Sequence, residues 1–565
     1  MASSRNFAVA LLFLAFAWWS YSMLCLLRNY LIARKIGIPI RVLFIPSESP
    51  FWLMVDNRVV TFLCTILPFL RNSSFARYNW RGWEVQDKCR SALEMGTVWM
   101  HVTPTYNSIQ VCDPEALMEI FRRKHDFPRP LHFYTMLNPF GPNLVTVDGD
   151  QWKRQRKSAA SCFNEPNNEI VWSESLAQAN DMIRYWASKP SVASTADDSR
   201  TLSLHILSRA GFGRSFRFQG HLEKKTAATA TVTNYNESLQ TVLDKSYLIM
   251  VLGTKFLAKP WLPVSLRRVH QAIVAFQQYM TDVYEEEKRS MVQNGETKRT
   301  LMSTLVRASA EETDPATRLT ERELYGNMFI FNFAGHDTTT HSIVFSLMHL
   351  AINPDVQNWI SEEICSVFGD RPVSEWPYSD FPRLMRCVAV LMESLRLYTL
   401  VPMSKWTGAR AQQLTVGGGK TITIPPNTTV LVAYAAVHTH PDYWGPDALE
   451  WRPSRWIKRS SVVAGGTAGE EEVITPRRGT YVGWSEGERN CPGKKFSQVE
   501  FAATMAVLFR DYRVDPTKRP GENADDARRK IVHQLKTDSA QVLLLQMLHP
   551  ERAALSWRKK GENEH

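Results

Sequence analysis

Trp484-Ser-Glu-Gly-Glu-Arg-Asn-Cys-Pro-Gly493 is the stretch on which the reading of this 565-residue chain turns. A single cysteine, Cys491, stands between Gly487 and Gly493, with Arg489 two residues before it and a proline directly after. Glycine lets a backbone approach a flat surface that any side chain would strike, and small residues leave N–H groups free to hydrogen-bond sulfur. A fixed cation beside the loop suits a thiolate and also an acidic group on a ligand. These are the needs of a thiolate that ligates a large planar cofactor. The competing reading is a small, inert, buried cysteine in a turn.

Away from the loop, composition sets bounds. The chain exceeds the usual ~250–300 residues of a single core, yet no linker divides it. Basic residues outnumber acidic ones, 67 to 56, and are scattered rather than blocked. That points to an acidic partner or an anionic membrane surface and away from nucleic acid. The eight cysteines lie far apart, with no Cys-x-x-Cys pair. Zinc, iron–sulfur clusters and a disulfide framework are all disfavoured, and a reducing compartment is expected.

Phe7 to Leu27 carries no charge. As a helix, at ~1.5 Å per residue, the run would reach roughly 30 Å, about one hydrocarbon core. We read it as a retained transmembrane anchor. Arg28, Arg34 and Lys35 follow it while only Arg5 precedes, which places the rest of the chain in the cytosol. Lys35 to Pro39 is expected to act as a hinge, giving residues 1–40 as anchor and hinge and 41–565 as the catalytic body. Val59 to Leu70 is too short to span and reads as interfacial or core.

Three further patterns stand out. Asp148 or Asp150 can cap a helix that puts Trp152 and Arg156 on one face. Thr320-Glu-Arg-Glu323 is a capping box that opens a long apolar helix ending at Asn353-Pro354. Within that helix, Ala334-Gly-His-Asp-Thr-Thr339 contains poor helix formers whose hydroxyls can bond the preceding turn and bend it. A small residue at 334 and a hydroxyl at 338 would open a notch for a diatomic ligand, with Asp337 supplying protons and Phe331, Phe333 and Ala334 as walls. Glu393 and Arg396 form an i, i+3 pair on the next strong helix, near Pro382 to Tyr398. His438 and His440 lack an evident third ligand and read as hydrogen-bonding residues. Val292 to Thr313 reads as a loop, residues 459–478 as a surface insertion, and the tail from Trp557 as frayed.

Taken together, these stretches resemble the cytochrome P450 family. Trp484 to Gly493 matches its Phe-x-x-Gly-x-Arg-x-Cys-x-Gly loop except that Trp484 replaces Phe. Trp152-x-x-x-Arg156, Ala334 to Thr339 and Glu393-x-x-Arg396 with Arg455 occur in the family's order. The resemblance extends from about Phe127 to Val542, and Met403 to Gly408 and His438 to Gly445 look most like membrane-anchored fungal members. It implies a mainly α fold with a smaller β-rich part. It further implies haem b (iron protoporphyrin IX) with the Cys491 thiolate as axial ligand, and Trp152, Arg156 and Arg489 toward its propionates. Lys405 or Arg410 would be a further basic contact. Thr338 and Asp337 would handle protons for O2 activation.

Glu393, Arg396 and Arg455 are read as fold residues. Lys494 and Lys495 are either a docking face for an acidic redox partner or a solvated helix face. The activity implied is a haem-thiolate monooxygenase of the endoplasmic reticulum membrane. It would draw electrons from NADPH-cytochrome P450 reductase and act on an apolar small molecule, a terpenoid, polyketide or alkaloid intermediate. A haem-thiolate isomerase or dehydratase would have little use for Asp337 and Thr338. A membrane haem sensor would need no oxygen notch.

Overall fold

Thr320 opens the helix Glu321–Ile352 with the expected reciprocal box: its side chain accepts from the Glu323 N–H, and Glu323 reaches back to the Thr320 N–H. Asn353 caps the far end, and Pro354 begins the next helix. This long helix is apolar around nearly its whole circumference, so it must run through the interior rather than along the surface. It packs on the helices Thr195–Phe212, Met385–Leu397 and Lys494–Arg510. A Cβ at Gly326 would stand 2.4 Å from the Pro142 carbonyl oxygen, and only glycine permits that approach.

The computed structural model describes residues 2–46, 50–220, 235–293, 299–314, 318–459, 471–541 and 544–561. The side chains at 2–8, 11, 50, 51, 53, 54, 57, 132, 136, 235, 236, 247 and 250 lie outside that description. The fold is mainly helical, as expected, with a smaller β-rich part. Five short strands form one mixed sheet in the order Ile40–Val42, Val98–Val102, Asn107–Val111, Thr429–Val432, Ser404–Trp406. Strands distant in sequence meet there, residue 109 pairing with 430 and 405 with 430. The sheet therefore brings Lys405 close to the segment after Asp126.

The N-terminal run lies in a helix, Ala2–Arg34. Among the described residues no helix is long and apolar enough to cross a membrane. The end of the helix is docked: Asn29 Nδ2 donates to the Thr103 and Pro104 carbonyls at 2.9 and 3.3 Å, and Asn107 Nδ2 returns a bond to the Asn29 carbonyl at 3.1 Å. Leu26 and Ala33 are buried against the sheet. The turn at Gly37 is tied by Lys420 Nζ. Val59 to Leu70 spans the end of the helix Pro50–Ile66 and a short 3-10 turn, with Phe62, Ile66 and Phe69 exposed.

Two expectations are overturned. Leu301–Ala310, read as loop from its polarity, is a helix capped by Thr300 and Ser303, and it buries Leu301, Leu305 and Val306. The tail from Trp557 is not frayed. Leu555–Lys559 pairs antiparallel with Tyr512–Pro516, and buried Trp557 stacks on Trp186 at 5.2 Å between ring centroids. Of the insertion, residues 460–470 lie outside the described residues. Its flanks, Ile457–Arg459 and Glu471–Val473, pair as an antiparallel hairpin.

Candidate functional site

The loop before the helix Lys494–Arg510 is closed by its own backbone. Cys491 N–H donates to the Trp484 carbonyl at 2.9 Å and Asn490 N–H to the Gly487 carbonyl at 3.1 Å. Gly487 sits at φ +76°, where a side chain would be strained. Trp484 is fixed by its Nε1–H to Ser497 Oγ at 3.0 Å. Cys491 is an exposed residue, but it lines an internal cavity. Burial pushes its thiol up, while the Gly493 N–H and the charges of Arg156 and Lys494 work the other way. The cations acting on the sulfur are thus Arg156 and Lys494 rather than Arg489. Arg156 is held to the loop by Asn490, through the carbonyl at 3.1 Å and the side-chain oxygen at 2.7 Å.

The same cavity is walled on its other side by the long helix. Ala334, Gly335, Thr338 and Thr339 face it, together with Phe331. The expected back-bonding is present: Thr338 Oγ1 donates to the Ala334 carbonyl at 2.8 Å and Thr339 Oγ1 to that of Gly335 at 3.2 Å. Ala334 is exposed to the cavity, while most of the helix is buried. Phe333 does not line the cavity; it stacks on Phe329 at 5.7 Å. Asp337 turns away from Thr338 toward Arg200 Nε at 3.0 Å and His336 Nε2 at 3.3 Å. Burial works to raise the Asp337 carboxyl, but His336, Arg200 and His341 outweigh it and hold the group below the ordinary range.

One end of the cavity is rich in cations. Arg129, Arg156 and Arg489 all line it, and buried Lys405 adjoins Arg489. Arg489 lies 4.6 Å over the Trp152 ring, donates to the Val147 carbonyl at 3.2 Å and pairs with Asp148. Burial and the neighbouring Arg129 bring Arg489 down to about 10; burial with Arg129 and Arg489 brings Lys405 down to about 7. Arg129 Nε is buried with no partner among the described residues. A cluster of half-buried and buried cations with too few anions fits a ligand that carries carboxylates there. Arg410 is exposed, which leaves Lys405 as the placed alternative. Arg129 was not singled out from sequence, although its position between Pro128 and Pro130 marks a rigid backbone.

Beneath the loop, Glu393 and Arg396 are completely buried. The Glu393 carboxylate accepts from Arg396 Nε and Nη2 at 2.8 Å each, Arg455 Nε at 2.9 Å, Trp456 Nε1 at 2.9 Å and the Arg452 N–H at 2.8 Å. Arg396 spends its remaining donors on the carbonyls of His438, Ala448 and Glu450. His438 hydrogen-bonds Thr399 with one ring nitrogen and accepts the Val482 N–H with the other, linking this network to the cysteine loop.

Comparison with known proteins agrees with this geometry. The cytochrome P450 family model matches residues 66–542. A cytochrome P450 monooxygenase of Arthrobotrys oligospora is 28% identical over 90% of this chain and 92% of its own length. The phomenoic acid biosynthesis cluster cytochrome P450 monooxygenase of Leptosphaeria maculans is 27% identical over 89% of this chain and 91% of its own. The ganoderic acid synthetase of Ganoderma lucidum is 26% identical over 75% and 84%.

Proposed function

This chain belongs to the cytochrome P450 family of haem-thiolate proteins and is a monooxygenase, and from that premise we propose that Cys491 is the residue whose thiolate holds the haem iron. The observation that carries the reading is one of placement. The Cys491 sulfur and the Thr338 wall of the long helix border one cavity, and Arg129, Arg156 and Arg489 gather at its edge, with Arg129 Nε lacking a partner among the described residues.

Bound haem supplies reductive activation of O2 and transfer of one oxygen atom to a substrate C–H or C=C bond. The chain's residues do the rest. Gly493 N–H, Arg156 and Lys494 favour the thiolate form of Cys491. Arg129, Arg489 and Lys405 meet carboxylates at the cavity edge, and Trp152 holds the Arg489 guanidinium in plane. Trp484, Gly487 and Gly493 shape the loop around the sulfur. Thr338 Oγ1, now donating to the Ala334 carbonyl, is the hydroxyl placed to hold and move a proton at the cavity wall, with Asp337 behind it. The apolar walls, among them Phe331, Leu207 and Leu400, exclude water and favour an uncharged substrate.

The substrate we infer is an apolar secondary-metabolite intermediate. Two relatives, named for phomenoic acid biosynthesis and ganoderic acid synthesis, support that reading. Electrons would come from a separate NADPH-cytochrome P450 reductase. Residues 1–40 would form a membrane anchor on the endoplasmic reticulum, with 41–565 as a cytosolic catalytic body. The uncharged Phe7 to Leu27 run and the exposed Phe62, Ile66 and Phe69 support this arrangement. Cys491→Ala should abolish the thiolate-type absorption of the reduced CO complex. An unchanged spectrum would overturn the assignment.

A further inference from the structure

We propose that His336 is the step by which protons reach Asp337, its ring passing them from a water molecule held at Nδ1 to the carboxylate facing Nε2. The inference rests on the reading of Asp337 and Thr338 as the proton-handling pair. His336 is buried, with only 2% of its side chain exposed, and Nε2 stands 3.3 Å from Asp337 Oδ1. Its other nitrogen, Nδ1, is buried and has no protein partner among the described residues. A buried polar nitrogen is normally hydrogen-bonded, and where protein supplies no partner, water does.

Two side chains touch the Asp337 carboxylate in the described structure, Arg200 and His336. Guanidinium cannot give up a proton near neutral pH, whereas a neutral imidazole accepts at one nitrogen while it donates from the other. The transfer delivers one net proton, and the Asp337–Arg200 pair stands as neutral acid beside guanidinium until that proton moves on. Water at Nδ1 gives the ring a proton; Nε2–H gives one to Asp337, which becomes the neutral acid; solvent replaces what the water lost. When Asp337 swings to pass its proton toward Thr338, water entering in its place reprotonates Nε2 while Nδ1 returns its proton to its own water, which restores the first tautomer.

An acid at the surface lies within electrostatic reach of the cluster. Asp244, at the end of the helix Tyr235–Asp244, is an exposed residue whose carboxyl burial holds above the ordinary range, against the pull of Arg200 and His336. Asp197 lies 3.5 Å from Arg200 on the outer side, and Lys245 follows Asp244 in the chain. His341, one turn beyond Asp337, is pushed down to about 4 by burial, so it is neutral and does not compete for the transferred proton.

The test compares His336→Gln with His336→Phe in full-length holoenzyme with reductase, NADPH and O2, without organic substrate. Glutamine keeps a donor toward Asp337 but cannot relay; phenylalanine keeps neither. A relay predicts that both variants retain the thiolate-type CO absorption while the share of NADPH electrons released as hydrogen peroxide rises about threefold in each. Glutamine behaving as wild type, whatever phenylalanine does, would overturn the relay and leave a positioning donor. An experimental crystal structure of the unmodified protein gives an independent readout. Water within hydrogen-bond distance of His336 Nδ1 is expected, and apolar packing against that atom would overturn the proposal even if the variants did not fold. Wild-type protein with reduced haem but no Cys491-dependent CO absorption would instead fail the functional reading itself.

Discussion

Two arginine clusters, one fully buried and one half-buried, lie close to the cysteine loop, and they are built on opposite plans. Around Glu393, every strong donor has an acceptor and the carboxylate is saturated by Arg396, Arg455, Trp456 and the Arg452 N–H. Around Arg489, three guanidiniums and Lys405 share one close carboxylate, Asp148, and Arg129 Nε has no partner among the described residues. The first cluster is complete as protein and so belongs to the fold. The second is incomplete as protein and so implies a ligand. Satisfaction of buried charge, rather than the presence of arginine, separates a structural lock from a binding edge.

The largest effect should come from breaking the complete cluster. Glu393→Ala leaves the fully buried Arg396 guanidinium without its anion and Arg455 with Asp447 alone, and should cost about 3–5 kcal/mol, read as a lowered urea midpoint and poor recovery of folded protein. A loss under about 1 kcal/mol would remove the contrast, since exposed pairs cost no more than that.

A third buried charge sharpens the rule, because it has neither plan. Glu500 is buried, its Oε1 lacks a partner among the described residues, and burial lifts it from 4.5 to about 8. It should therefore be neutral at pH 7. The folded state resists ionisation that the unfolded state allows, so wild-type stability falls as pH rises from about 4.5 and levels off above about 8. Glu500→Gln should match wild type near pH 4 and exceed it by on the order of 2–4 kcal/mol near pH 9. Thermal melts across that range check it, and parallel curves would mean the carboxyl has a partner after all.

The incomplete cluster should respond in the other direction. Arg129→Gln relieves repulsion on Arg489 and Lys405, so the fold should not weaken. Haem retention should drop about tenfold, or ~1.4 kcal/mol, measured as transfer to a competing apoprotein. Destabilisation on the scale of Glu393→Ala would erase the distinction between lock and edge. Thr338→Ala is the smallest change and leaves both clusters intact. It should keep the haem spectrum while raising hydrogen peroxide release a few-fold, and full coupling would move proton delivery elsewhere.

Local patterns were legible in the sequence because their physics is local. The Thr320 box, the Asp148 cap, the cysteine loop and the back-bonding threonines each need only neighbours within a few residues. What escaped depends on partners far along the chain. Arg129 meets Lys405 and Arg489 from hundreds of residues away, where the Trp406 N–H donates to the Pro128 carbonyl, and Arg200 reaches Asp337 from another helix. Phe331 and Phe333 looked equivalent as pocket walls. Two steps along a helix turn a side chain to nearly the opposite face, and only Phe331 meets the cavity. Trp557 sits in a charged tail whose composition suggests solvent, yet its ring finds Trp186. The polar sequence around Leu301–Ala310 likewise concealed a helix whose four buried apolar residues, Leu301, Met302, Leu305 and Val306, are enough to seat it.

The docking of Asn29 bears on how this protein is shortened for the bench. Cutting after Arg34, at the apparent end of the greasy leader, would strip the Thr103 and Pro104 carbonyls of their donor and uncover the surface that Leu26 and Ala33 seal. A trimmed version that begins a turn before Leu26 keeps that seam closed and sheds most of the leader, so the two cut sites should give material of very different solubility.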